Sequence, residues 1–121
     1  MAAAESSAFA ISPAPQAVFD WDGRKLAGNR SYDALFGSGP TSFAELFHPD
    51  DHGAATRALA VVHEGGEIPA QEHRFGVVEG GHRWLRWHVA ADRDAQQFVV
   101  AWTDAETELA ALRQMKLLVD A

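Results

Sequence analysis

The chain has 121 residues, 47% of them hydrophobic, and it contains no cysteine. This length suits one domain with its own core, and the lack of cysteine excludes disulfides, zinc thiolate sites, thiol nucleophiles and thiol-linked chromophores. Ten basic residues against seventeen acidic ones give a net charge of −7, which repels phosphate backbones and excludes nucleic acid as an expected partner.

The sequence carries no pattern typical of export or membrane insertion. Residues 1–5 lack the basic start and the continuous apolar run of a secretory signal. A membrane-spanning helix needs roughly 18 consecutive apolar residues, and no window of the sequence approaches that length. We therefore expect a cytoplasmic protein without a membrane partner.

The first elements in chain order are a flanking segment and a hairpin. Residues 1–14 are rich in Ala, Ser and Pro and are predicted to be an N-terminal flanking segment or a short helix. Residues 17–21 form a short apolar strand, Asp22-Gly23 is a strong turn dipeptide, and residues 25–27 return as a second strand.

Three short helices are predicted next, each from its capping residues. Asn29 is a good N-cap for residues 30–36. The sequence Ser42-Phe43-Ala44-Glu45 is a capping box that opens one or two turns. Residues 48–51, His-Pro-Asp-Asp, place proline and acidic side chains in the first turn of a longer helix, which stops at Gly65-Gly66.

Three antiparallel strands follow, at residues 71–78, 82–91 and 96–103. One face of the middle strand is apolar and carries Leu85, Trp87, Val89 and Ala91. The third strand is apolar on both faces, so it needs cover on both sides. We expect the domain's own helices on one side, and the N-terminal segment or a second subunit on the other.

A last helix is predicted after the third strand. Thr103-Asp104-Ala105-Glu106 is a second capping box, and an apolar stripe that includes Leu109 and Leu112 follows it. We expect residues 15–104 to be the folded domain and residues 105–121 to be a linker helix toward an output domain. The whole pattern is α+β, with one antiparallel sheet that carries helices on one face.

Five short motifs along the chain carry a resemblance to a known family. They are residues 28–37 with their Asn-capped helix ending in Phe-Gly, Leu46-Phe47-His48-Pro49-Asp50-Asp51, Glu72-His73-Arg74, Gly80-Gly81-His82-Arg83-Trp84-Leu85 and Thr103-Asp104-Ala105-Glu106. Their order and spacing resemble the PAS family, over about residues 17–112. The last motif departs from the family's Asp-Ile-Thr-Glu, because Ala105 and Glu106 follow Asp104 directly.

The resemblance implies a five-stranded antiparallel sheet in the order 2-1-5-4-3, with short helices on one face and a C-terminal linker helix. It also implies a ligand pocket between the concave face of the sheet and the long helix. The other face of the sheet is expected to pack on a flanking helix or a second domain. PAS domains feed covalently attached outputs such as histidine kinases and cyclic-di-GMP enzymes.

The candidate functional residues form three sets. The ligand-pocket candidates are Leu59, Val62, His63, Phe75, Trp87 and Val99. The candidates for a dimer or partner interface are Phe9, Ile11, Trp84, Phe98, Val100 and Trp102. The candidates for signal relay to the output are Thr103, Asp104, Glu106, Leu109 and Leu112.

We expect no cofactor, with haem bound through His63 as the alternative, because one neutral imidazole on the long helix suffices as an axial ligand. His63 is otherwise a solvent-facing residue at a helix end, where protonation suits the helix dipole. His48 and His52 have a spacing that metal ligands use, but no third ligand accompanies them, so no metal site is predicted.

The predicted function is regulatory and not enzymatic. We expect a sensing and docking domain of a multidomain bacterial signalling protein that forms a homodimer, is covalently linked to a C-terminal output domain and docks an adaptor protein. The sequence ends in Leu117-Leu118-Val119-Asp120-Ala121, and many diguanylate-cyclase domains open with a similar Asp-Ala, which favours a cyclic-di-GMP output. The alternatives are a histidine-kinase sensor that binds a small ligand or haem, and a cone-shaped α+β isomerase or dehydratase, which the early hairpin weighs against.

Overall fold

The computed structural model describes residues 7–104, and the predicted linker helix at 105–121 lies outside them. The helices are α1 (Ser7–Ile11), α2 (Arg30–Phe36), α3 (Phe43–Leu46) and α4 (His52–His63), with a 3-10 turn at Pro49–Asp51 before α4. The strands are β1 (Gln16–Asp20), β2 (Lys25–Gly28), β3 (Ile68–Gly76), β4 (His82–Asp92) and β5 (Gln97–Asp104).

The strands form one antiparallel sheet in the order β2-β1-β5-β4-β3. This confirms the predicted α+β class and the predicted strand order 2-1-5-4-3. The first strand pairs with the last, so the sheet is complete only when β5 docks beside β1. Within residues 7–104, no helix has the length and apolar character needed to cross a membrane.

Asn29 ties the N-terminal segment to the first helix of the core. Its side-chain oxygen accepts hydrogen bonds from the backbone N–H groups of Tyr32 at 2.9 Å and Gln16 at 3.0 Å. Its amide nitrogen donates to the carbonyl oxygen of Ala14 at 2.9 Å. Because Asn29 is buried and makes all three bonds, the predicted N-cap of α2 also positions the segment that leads into β1.

The His-Pro-Asp-Asp segment fastens the start of α4 to the edge strand β3. The backbone N–H of His48 donates to the carbonyl oxygen of Arg74 at 2.9 Å. The carboxylate of Asp51 accepts from the backbone N–H of Arg74 at 2.9 Å and from its guanidinium at 3.2 Å. These bonds to the Arg74 side chain lower the pKa of Asp51, against the opposing effect of burial, so the carboxylate is charged at neutral pH.

The core lies between the sheet and the helices, and aromatic rings dominate it. The largest buried rings are Phe19, Tyr32, Phe43, Phe47, Phe75, Trp87, Phe98 and Trp102. Their centroids lie as close as 4.5 Å for Phe47 and Phe75, in tilted and edge-to-face arrangements typical of stable aromatic pairs. Helix α4 contributes the small side chains of Ala54, Ala55 and Ala58, which bring it close to the sheet.

The outward placement predicted for three residues of β5 is wrong. Trp102 pairs with Trp87 and Val100 pairs with Val89, and directly opposite residues of an antiparallel pair point to the same face. Phe98, Val100 and Trp102 therefore point into the core, where each is 0% exposed. They are core residues of the single chain and not an outer interface.

The predicted orientation of Val99 is wrong in the opposite sense. It pairs with Ala90 of β4 and Val18 of β1, and it lies on the face opposite to the helices. Its predicted place in the ligand pocket is therefore wrong. A strand that is apolar on both faces gives no alternation from which its inner face can be read.

Strand β3 begins at Ile68 rather than at residue 71, and it includes Pro69. The pairing register with β4 shifts between Ile68 and Gln71. An edge strand tolerates proline at such an irregularity, because the missing N–H is not needed for the ladder. The proline is the reason why the sequence pattern placed the start of this strand too late.

Candidate functional site

The space predicted to bind a ligand, between the sheet and α4, is packed with side chains. Val62, Phe75 and Trp87 meet in the core there, and Leu59 packs against its margin. The indole nitrogen of Trp87 donates to Nδ1 of His73 at 3.0 Å, so the polar edge of this ring has a protein partner. Beside Trp87 remains a cleft of about 180 Å³ between α4 and β3, which is smaller than the roughly 300 Å³ of typical small-molecule sites.

His63, the predicted alternative haem ligand, is exposed at the end of α4. Its Nε2 lies 2.6 Å from the carbonyl oxygen of Trp21, and its ring centroid lies 5.4 Å from the indole of the same residue. A carbonyl oxygen only accepts, so Nε2 carries the proton of this bond. Coordination of haem iron through Nε2 requires His63 to break this bond, and the residues in place do not fit that role.

The predicted interface set contains two exposed residues, Ile11 and Trp84, whereas Phe9 is buried. Trp84 is 50% exposed on the outer face of β4. The guanidinium of Arg74 lies 5.4 Å from the centroid of its ring, a cation–π contact. Because Asp51 holds Arg74, the exposed indole is positioned by a cation that is anchored to the start of α4.

A groove of about 600 Å³ opens at the end of the sheet where β4 begins and β5 finishes. Its mostly apolar walls come from residues 13–15, α2, the turn and strand start around β4, and the end of β5. The side chains that line it include Pro15, Leu35, Leu85, Trp102, Arg83 and Asp104. The sequence analysis missed this groove, because it is assembled from four segments that are far apart in the chain.

Hydrogen bonds join the walls of the groove to one another. The backbone N–H of Trp102 donates to the carbonyl oxygen of Pro15 at 3.0 Å, and that of Val78 donates to the carbonyl oxygen of Leu35 at 2.9 Å. The hydroxyl of Ser31 donates to the carbonyl oxygen of Ser12 at 2.7 Å. The groove is therefore formed before any occupant arrives.

Two predicted relay residues, Thr103 and Asp104, line this groove. Nη1 of Arg83 lies 3.2 Å from Oδ2 of Asp104, an ion pair that joins the start of β4 to the end of β5. Both side chains are partly exposed, so the pair adds little to stability and acts as a positioning contact. Glu106, Leu109 and Leu112 lie outside the described residues, and their relay role stays a prediction.

Two buried polar atoms on this side of the core lack a hydrogen-bond partner within residues 7–104: Nε1 of Trp102 and the hydroxyl of Tyr32. Their rings are neighbours, with centroids 5.6 Å apart. Burial, and to a smaller degree the charge of Asp33, raises the pKa of the Tyr32 hydroxyl above its usual value. Among the described residues, the Trp102 indole that forms part of the groove wall thus has a donor without an acceptor.

His48 of the His-Pro-Asp-Asp segment has a structural role. Nδ1 of His48 accepts from the backbone N–H of Asp50 at 3.0 Å and so caps the 3-10 turn. His52 is exposed at the start of α4. In the part of the chain that the structure describes, no group of three or more His, Cys, Asp or Glu is arranged to hold a metal ion.

No known family profile matches this chain, and no curated protein matches it. Solved structures do match. The PAS domain of a protein from Colwellia psychrerythraea has a TM-score of 0.68 at 19% identity, over 80% of this chain and 90% of that one.

Two further matching structures are domains of signalling proteins. A domain of a sensory box sensor histidine kinase/response regulator from Geobacter sulfurreducens has a TM-score of 0.66 at 17% identity, over 78% of this chain and 86% of that one. The PAS domain of the RpfR quorum-sensing receptor from Cronobacter turicensis, in complex with C12:0, has a TM-score of 0.65 at 16% identity, over 78% of this chain and 95% of that one. At these identities the likeness is one of fold.

Proposed function

We propose that this chain, which has the PAS fold, is a regulatory sensing module that controls an output domain through the end of β5. The observation that carries the proposal is the place of the groove, whose wall includes Thr103 and Asp104. An occupant of the groove touches the residues from which the chain continues. The packed space under α4 supports the same proposal, since it leaves little volume for an occupant there.

An occupant regulates by binding one arrangement of the strand end better than another. The two proposed arrangements differ in whether Arg83 holds Asp104. In one, the ion pair at 3.2 Å fixes the last residue of β5 against β4. In the other, Arg83 turns to the occupant and its contact with Asp104 is lost.

Two of the matching structures support a sensing role because they are domains of sensory proteins. One is a domain of a sensor histidine kinase/response regulator, and the other is a quorum-sensing receptor domain in complex with C12:0. We propose by analogy that this module is itself not an enzyme, works in the cytoplasm and is covalently linked to its output. The fold alone is the warrant for that analogy.

The proposed output is an enzyme that makes or degrades cyclic-di-GMP. Its support is the sequence of residues 117–121, which lie outside the described part of the chain. A histidine kinase is the alternative output, and the matching structure from Geobacter sulfurreducens favours it. The activity of the full-length protein distinguishes the two.

The proposal is tested in the full-length protein with its output domain. Arg83→Gln and Asp104→Asn each remove one side of the ion pair, so both should shift the basal output activity in the same direction. Arg24→Gln, at an exposed arginine of the β1–β2 turn, is the matched control and should leave the output unchanged. If both groove variants keep the wild-type output and the wild-type unfolding midpoint, the end of β5 does not relay the signal.

A homodimer is a second proposed interaction, and the exposure of Trp84 favours it. Trp84 is half exposed on the sheet face, and large aromatic side chains are enriched at protein interfaces. The proposed partner at this face is a second copy of the chain, with an adaptor protein as the alternative. Trp84→Ala should weaken self-association in sedimentation equilibrium, whereas Leu26→Ala, at a residue of similar exposure on β2, should not. Equal association of both variants and the wild type would reject this face.

A further inference from the structure

We infer that the groove beside Asp104 binds a small amphiphilic carboxylate, in which an apolar body carries one carboxylate that pairs with Arg83. The inference rests on the proposed function and names the class of ligand for the same site. It follows from the size of the groove, from the character of its walls and from the single cation among its described lining residues.

The walls of the groove suit an apolar body of small-molecule size. The volume of about 600 Å³ lies within the roughly 300–1,000 Å³ of small-molecule sites. Pro15 and Leu35 supply partly exposed apolar surface, and the buried side chains of Leu85 and Trp102 back the groove from two further segments. Burial of an apolar body against Pro15 and Leu35 removes both surfaces from water, which is the main driving force for binding at such sites.

Arg83 supplies the polar contact that selects the ligand. A guanidinium has five N–H donors in a planar fork that matches a carboxylate. Arg83 forms an ion pair with Asp104 and makes no other ion pair or hydrogen bond within residues 7–104. Most of its donors are therefore available to a second carboxylate at the edge of the apolar groove.

The acidic residues of the groove do not suit an ammonium ligand. Asp104 already has Arg83 as its partner. Glu79 lines the groove but lies exposed in the turn before β4, where water screens its charge. A cationic ligand would also lie near the guanidinium of Arg83, which repels it.

The shared guanidinium couples the ligand to the strand end. A ligand carboxylate shares the guanidinium of Arg83 with Asp104, and the two carboxylates repel each other. Binding of the ligand therefore weakens the hold on Asp104, and by linkage the loss of the Asp104 charge strengthens binding of the ligand. A groove that binds ligands only through apolar contacts would not show this dependence of ligand affinity on the charge of Asp104.

The experiment uses isothermal titration calorimetry on the full 121-residue chain with octanoate, octanol and octylamine as probes that differ only in the head group. Octanoate should bind best. Arg83→Gln should weaken octanoate about tenfold, the size of one lost charge-assisted hydrogen bond, and Arg83→Lys should recover part of the loss. Asp104→Asn should tighten octanoate about threefold, as for removal of one partly exposed like charge, and Glu79→Gln should tighten it slightly.

Octanol is the control for the apolar body, and its affinity should be the same in all four variants. Amide chemical shifts should locate octanoate at Leu35, Leu85 and Thr103. Tighter binding of octylamine than of octanoate, unchanged octanoate affinity in Arg83→Gln, or shifts confined to the cleft beside Trp87 would each overturn the inference. None of these results tests the proposed function. That function is tested separately by the output activity of the full-length Arg83 and Asp104 variants.

Discussion

Val99 and Val100 are neighbours on β5, and truncation of each to alanine removes the same two methyl groups from opposite faces of the sheet. Val100 is 0% exposed and pairs with Val89 and Ala17. Val99 is partly exposed and pairs with Ala90, which is itself exposed. The change in strand propensity is the same at both positions, so the difference between the two variants measures burial.

The expected magnitudes follow from the burial of the two side chains. Two buried carbon atoms contribute about 1.6 kcal/mol by transfer from water, and the cavity left in a packed core adds up to about 1 kcal/mol. Val100→Ala should therefore lower the free energy of unfolding by about 2–3 kcal/mol. Val99→Ala should lower it by about 1 kcal/mol or less, because part of its surface is in water and no closed cavity forms.

The assay is urea unfolding followed by tryptophan fluorescence, with the slope m compared between the variants. Val100→Ala should have the lower midpoint by a clear margin, at an unchanged m. Equal midpoints, or a lower midpoint for Val99→Ala, would mean that the other face of β5 is the core. Trp102 shares its face with Val100, so that result would also remove Trp102 from the groove and refute the site built on it.

Two further substitutions test the contacts that assemble the domain. Asp51 has a folded-state pKa below its usual 3.8, so its ion pair contributes stability above that value and loses it as pH falls through the lowered pKa. The wild type should therefore be more stable than Asp51→Asn at neutral pH and lose that advantage in strong acid; a difference in urea midpoint that is independent of pH would contradict this. Asn29→Ala should lower the free energy of unfolding by about 2 kcal/mol, because two N–H groups and one carbonyl lose a partner. Ser42→Ala, at an N-cap with one bond of 3.4 Å, should cost less, and equal losses would reduce Asn29 to a simple helix cap.

Local chemistry explains why much of the fold is predictable from the sequence. The caps at Asn29 and Ser42 and the proline at the start of the 3-10 turn act over a few residues, so their patterns indicate helix starts directly. The strand order follows from the resemblance that these motifs carry together. Knowledge of which strands pair is needed to predict the structure only where the local sequence pattern is ambiguous.

The inner face of β5 is such an ambiguous case, and one signal in the sequence could have resolved it. Strand β4 alternates clearly, with Leu85 and Trp87 buried and Trp84 exposed. Pairing of Asp92 with Gln97 across the connecting turn fixes the register of the hairpin, which sets Val100 opposite Val89. The face of β5 is thus determined by its partner strand and not by its own composition.

The site depends on arrangements that the sequence does not show. The groove requires Pro15, Leu35, Leu85 and Trp102 to meet, and each alone is an ordinary apolar residue. The bond from Trp87 to His73 likewise joins two strands and fills space that the sequence pattern assigned to a ligand. Asp104 is the exception, because its place at the end of the last strand predicts a relay role from the sequence, although its partner Arg83 becomes evident only in the folded sheet.

The position of the larger unfilled space, in the groove and not under α4, determines how an occupant acts on the rest of the chain. A ligand under α4 would have to move closely packed rings before β5 could respond, and packed cores resist such graded deformation. A ligand in the groove contacts Thr103 and Asp104 themselves, in front of the buried ring of Trp102. One charge-assisted hydrogen bond to the partly exposed Arg83 is worth about 1–1.5 kcal/mol after screening by water, and about 1.4 kcal/mol changes a two-state population tenfold. A single contact at the groove is therefore sufficient to change the balance at Asp104, and no pathway across the core is required.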